Sequence, residues 1–133
     1  MKVKSQKSLV KSCRMILIVV MLAVFILFPS FSYAAEFYFG AHDQTIGKGQ
    51  TVEVGVFLNT DAAPVNAVDG RIRIPPMLAL RDIRDGNSFV SLWIERPRLD
   101  RGQREESVVF SGIIPGGYTG NDGYLFSLIL SAR

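Results

Sequence analysis

Groups that can attack a bond, shuttle a proton or hold a metal are few in this chain. It has one histidine, His42, and one cysteine, Cys13. Cys13 lies among the cations of the N-terminal segment and His42 in a stretch that reads as a turn. No nucleophile therefore has a histidine base beside it, and no cluster of metal ligands can be assembled. Glu105 and Glu106 are adjacent on a polar stretch, where neighbouring acids are solvated rather than matched as acid and base. Asp85, Asn121 and Asp122 could offer oxygens to calcium, but no loop carries the regularly spaced ligand set that this ion takes. The expectation is a non-enzyme with no catalytic residue, no metal and no cofactor.

Recognition is the chemistry that remains. Trp93 shares a strand face with Phe89 and Ser91, opposite Val90, Leu92 and Ile94. The more aliphatic face is the natural core face, which turns Trp93 outward as a surface for a sugar ring or a protein interface. The competing expectation packs it under the loop of residues 96–106. Tyr118 stands in the run Pro115 to Gly123, where a ring can project toward a ligand, although Gly and Asn clusters are first a backbone device. Arg71 and Arg73 alternate on one strand face and lead an arginine-heavy set with Arg81, Arg84, Arg96, Arg98, Arg101 and Arg104. A guanidinium forks onto carboxylates, so one reading is an acidic partner or glycan. The other pairs these arginines with Asp69, Asp82, Asp85 and Glu95. Trp93, Phe89, Tyr118, Arg71 and Arg73 are the candidate contacts for a ligand or partner.

The elements that must position these side chains begin after a distinct leader. Lys2, Lys4, Lys7, Lys11 and Arg14 precede an apolar run from Met15 to Phe28, and Pro29, Ser30, Ser32, Ala34 and Ala35 follow. These are the three parts of a secretory signal peptide, with a cut after Ala34 and a domain from residue 35 to 133. Fourteen apolar residues rise about 21 Å as a helix against a hydrocarbon core of about 30 Å, which favours cleavage. An uncleaved anchor through residues 15–31 is the alternative. Cys13 precedes the apolar run, on the wrong side for a lipid acceptor.

The chain of 133 residues carries 15 Lys and Arg against 12 Asp and Glu, which on length is one domain. With the five leader cations set aside, ten bases face twelve acids, a net charge of −2. The basic pI of 9.2 thus belongs to the leader, and a phosphate-binding surface for nucleic acid is not expected. A 99-residue exported chain without cysteine has no disulfide to form, so packing alone must hold it. A domain of that size buries only about two thirds of its unfolded surface, which favours a compact layered fold.

Val52, Val54, Val56 and Leu58 alternate with outward positions, the period of two of a half-buried strand. Val68, Ile72 and Ile74 repeat the pattern after the turn residues 60–64. Phe37 and Phe39 mark a short first strand, and Leu78, Leu80 and Ile83 another after Pro75 and Pro76. Phe89 to Glu95 reads as a strand stopped by Pro97, residues 98–106 as a polar loop, and Ser107 to Ser111 as a strand. Pro115 to Gly123 reads as loop and Tyr124 to Ala132 as the last strand. Short strands between Gly and Pro clusters predict an all-β sandwich.

Gly49, Gln50, Thr51 and Val52, then Val65 to Val68, Pro76 with Leu78 and Leu80, Val109 to Gly112 and Gly123 to Ala132 give a pattern that resembles the cohesin domain. Cohesins belong to a wider group of bacterial sandwich modules sharing a fold with some carbohydrate-binding domains, and the likeness runs from about Gln50 to Ala132. It implies a jelly-roll-like sandwich without chemistry that binds a protein partner, dockerin-like, or a polysaccharide, in the setting of polysaccharide breakdown. Ile74, Pro75 and Pro76 stand where the Tyr-Asp-Pro turn is usual. Cohesins also place a final strand after the one corresponding to Tyr124 to Ala132, whereas this sequence stops at Arg133. Three expectations follow: a fragment, a partner that donates the strand, or a smaller sandwich closed differently. The function expected is thus an extracytoplasmic binding module, secreted or at the cell surface or in a periplasm. The alternative is a structural subunit that accepts a strand from another chain.

Overall fold

The computed structural model describes residues 2–27, 34–42, 45–102 and 105–133. The chain divides into two units, residues 1–32 and residues 33–133. In the first, α1 (Lys2–Leu27) is one unbroken helix of 26 residues. Its stretch Gln6–Leu27, 22 residues long, holds an 18-residue window with a mean hydropathy of 2.4. At 1.5 Å per residue the stretch reaches about 33 Å, enough to cross a membrane by length and composition. The helix runs back through the basic segment, so length weighs less for cleavage than the fourteen-residue run suggests. A signal sequence passes the same test. Phe28 to Tyr33, on which the cut and the far end of the anchor depend, lie outside the described residues, as does Arg104.

The second unit is a sandwich of two antiparallel sheets. Its strands are β1 (Glu36–Ala41), β2 (Thr51–Asn59), β3 (Val65–Arg73), β4 (Leu78–Arg84), β5 (Leu92–Arg101), β6 (Glu106–Tyr118) and β7 (Gly123–Ala132). One sheet has the order β1-β2-β7-β4 and the other β3-β6-β5. The alternation in β2 behaves as its sequence requires: Val56 and Leu58 are buried, while Thr51 and Glu53 face solvent. Across the first sheet Val54 pairs Leu128 and Val56 pairs Phe126, so the inner faces align in rows.

The centre of the core is aromatic. Phe110 of β6 meets Phe126 of β7 edge to face at 5.0 Å between centroids, uniting the two sheets. Phe110 has room because it lies opposite Gly70, where an added Cβ would fall 2.6 Å from its ring. Val56, Leu58, Val108, Leu125 and Leu128 complete the buried layer, each contributing about 1.5–3 kcal/mol by leaving water. Thr60 is fully buried at one end of the sandwich. Its backbone N–H and hydroxyl donate to the Gly120 carbonyl at 2.9 and 3.3 Å, and the hydroxyl accepts the Gly120 N–H at 3.1 Å.

Three readings of the sequence are corrected. β5 starts at Leu92 rather than Phe89, so Val90 precedes the strand and does not set its parity. Trp93 faces the core beside Val90, while Leu92 and Ile94 are 54% and 67% exposed on the outer face. Pro97 does not stop the strand, which continues to Arg101. β5 is an edge strand with register shifts on both sides of Glu95, the setting in which a missing N–H is tolerated. The run Pro115 to Gly123 is not one loop either. β6 extends to Tyr118, with Gly116 and Gly117 at positive φ where its register against β3 slips, and the turn proper is only residues 119–122.

Candidate functional site, the open side of the sandwich

The two long sides of the sandwich differ. On one, β4 and β5 approach each other and the segment joining them seals the gap. Val90 is buried there, Phe89 donates its N–H to the Tyr124 carbonyl at 3.0 Å, and Arg96 reaches Asp85 at 2.9 Å. The opposite side is bounded by β1 and β3, and among the described residues no strand pairs with the outer edge of either.

β1 owes its exposure to that edge position. Phe37 and Phe39 point inward by the register Phe37 to Leu58 and Phe39 to Val56, yet they stay 42% and 56% exposed. The Phe37 ring reaches the core edge to face with Phe110 at 5.7 Å. Beside them a mostly apolar cleft of about 210 Å³ opens between the sheets, lined by Phe39, Val54, Ile72, Leu128 and Leu130, with Arg73 also in its lining. On the outer face Tyr38 stacks on Phe57 at 5.3 Å, and Phe57 meets Tyr124 at 5.7 Å. The Tyr38 hydroxyl donates to the Asn121 carbonyl at 2.9 Å and that of Tyr124 to the Arg84 carbonyl at 3.3 Å, which fixes the rings. Phe57 lies over Gly55 and Gly40, where an added Cβ would stand 2.6 and 2.9 Å from it.

The residues singled out from sequence do not converge. Trp93 is half-buried, edge to face with Phe126 at 6.4 Å, in space left by Gly112. Of the two expectations the outward platform is absent and the packed ring is found, though it lies against Phe126 and Gly112 rather than under residues 96–106; it fits inside because β6 offers a glycine opposite it. Phe89 and Tyr118 do come together at 4.5 Å, both half-buried, with the Tyr118 ring filling the space at Gly123. Arg71 and Arg73 lie on the outer face of β3. Arg71 donates to Asp100 and to the Ser107 hydroxyl, each at 2.7 Å, and Arg73 sits 3.3 Å from Glu105. Arg84, Arg96 and Arg98 pair with Asp82, Asp85 and Glu95 as the second reading has it, while for Arg71 and Arg73 the acids are Asp100 and Glu105 rather than Asp69.

Sequence reasoning missed the aromatic edge. Phe37, Tyr38 and Phe39 in succession beside a single charge, Glu36, announce an apolar strand, but the lysines or proline that guard an exposed edge are missing from it, so its composition gave no sign of the edge. Among the described residues no three His, Cys, Asp or Glu side chains converge, and no buried side-chain polar atom lacks a partner. The open side presents unpaired backbone edges and half-exposed aromatic rings. Comparison with protein families, with curated proteins and with solved structures gives no match for this chain.

Proposed function

We propose that this chain is a non-catalytic, extracytoplasmic binding module, a structural or accessory subunit that takes up an extended polypeptide strand along its open side. The observation that carries the reading is the β1 edge, with Phe37 and Phe39 half-exposed beside an apolar cleft that reaches Leu128 and Leu130. An added strand satisfies the unpaired backbone groups of that edge and sets alternate side chains over the cleft. The likeness to cohesins adds the same expectation of a module that works by binding protein. The apolar helix α1 supports export or anchoring.

A polysaccharide ligand is the second reading. Its support is the outer-face row Tyr38, Phe57 and Tyr124, three rings held in fixed orientation across neighbouring strands. One experiment separates the two. The chain is presented with ten-residue peptides of alternating apolar and polar residues, and separately with insoluble polysaccharides, while amide exchange is followed. Strand acceptance predicts protection of the β1 amides by peptide and no retention on polysaccharide. Retention on polysaccharide with unprotected β1 amides refutes it.

A further inference from the structure

We infer that the strand taken up by the open side comes from a second copy of this chain, the two copies joining β1 to β1 and β3 to β3 about a two-fold axis perpendicular to the sheets. The inference rests on the strand-accepting reading and names the partner. Its geometry follows from chain direction. β1 is antiparallel to β2, and the short connection 60–64 returns the chain along β3, so β1 and β3 run the same way. A two-fold perpendicular to the sheets then makes both joins antiparallel, and the closed interface uses the same patch on each copy.

Charge favours this partner. The outer row of β3 reads Asp69, Arg71, Arg73. Laid antiparallel on itself with Gly70 at the axis, it sets Asp69 of each copy opposite Arg71 of the other, at the Cβ spacing of about 4.5–5.5 Å typical of cross-strand neighbours. Asp69 is exposed and forms no ion pair among the described residues. Arg71 is 55% exposed, and its present acid, Asp100, lies on β5, away from the edge. A forked guanidinium can hold both carboxylates.

β1 is compatible with the same operation. With Tyr38 at the axis, Phe37 faces Phe39 of the other copy on the inner side, and the single charge, Glu36, faces Gly40. Four rings then roof the two clefts, and no like charges meet. Area requires that both edges engage. Phe37, Tyr38 and Phe39 are 42%, 36% and 56% exposed. At about 150–250 Å² for a buried aromatic, β1 alone covers roughly 300 Å² per copy. A stable interface buries about 800 Å² per partner, so the nine residues of β3 must join as well.

The test uses the full chain in a non-ionic detergent, with Cys13→Ser to remove the helix thiol. The expected mass is that of a dimer. Under mild oxidation Tyr38→Cys should link the two copies at position 38, whereas Ser111→Cys, on the outer face of the central strand β6, should not. Asp69→Arg or Arg71→Asp alone should weaken dimerisation about tenfold, and the double exchange should restore it. A chain that stays monomeric overturns the inference. So does a dimer that ignores both charge variants and forms no link at position 38, which would place the association on α1 or another face. If the chain is monomeric but strand peptides still protect β1, this inference falls and the strand-accepting reading stands; if neither occurs, both fall.

Discussion

The two long sides of the sandwich are built from similar strands yet end in different states. On the β4 and β5 side a seven-residue connection turns inward, Val90 and Trp93 fill the gap, and an ion pair between Arg96 and Asp85 lies across the seam. On the β1 and β3 side the aromatic residues reach the core from one sheet only, and Phe37 touches Phe110 while keeping much of its ring in water. The comparison teaches that apolar content does not by itself close a sandwich. Closure needs a segment that crosses between the sheets and brings its own inward side chain.

The difference can be broken at several points. Phe110→Ala removes the ring both sides depend on, and about 3–5 kcal/mol of stability should go with it, measured by urea unfolding with the single tryptophan as probe. Gly112→Ala attacks the closed side alone, since a Cβ there falls 2.5 Å from Val90 and 3.1 Å from the indole. A loss of about 1–3 kcal/mol and a red-shifted Trp93 emission are expected. Phe37→Ala attacks the open side. Because the ring is already 42% exposed, about 1–2 kcal/mol should be lost, less than for Phe110. Equal costs for Phe37 and Phe110 would mean that the open side is covered in solution. Leu92→Lys and Ile94→Lys should change stability by no more than about 0.5 kcal/mol, because both side chains face outward. A cost of several kcal/mol at either would return Trp93 to the surface.

Much of the layering was legible in the residues. Val52 to Leu58 keep the period of two, Val68 to Ile74 keep it with Gly70 at one inward position, and β2 and β3 lie where that period sets them, with Ile74 one residue past the end of β3. The outward reading of Trp93 failed, and the packed one held, for a local reason. Val90 was counted into a strand that begins two residues later, and the shifts around Glu95 then break the alternation on which parity depends. Pro97 misled because a proline is compatible with an edge strand, and edge position is decided by the neighbours a strand acquires rather than by its own residues. The exposure of β1 was hidden for the same cause: Phe37 and Phe39 announce a strand, but not that it would stand at a margin.

The Thr60 clasp has a consequence for how the domain comes apart. Three hydrogen bonds tie the crossing from β2 to β3 onto the turn before β7, at an end where Thr60 is shielded from water. A disulfide in such a place is permanent on the timescale of folding; this fastening is reversible and needs no oxidant. Unravelling should therefore be directional, beginning at the far end of the sandwich and travelling toward Thr60, whose amide should be among the last to exchange with deuterium.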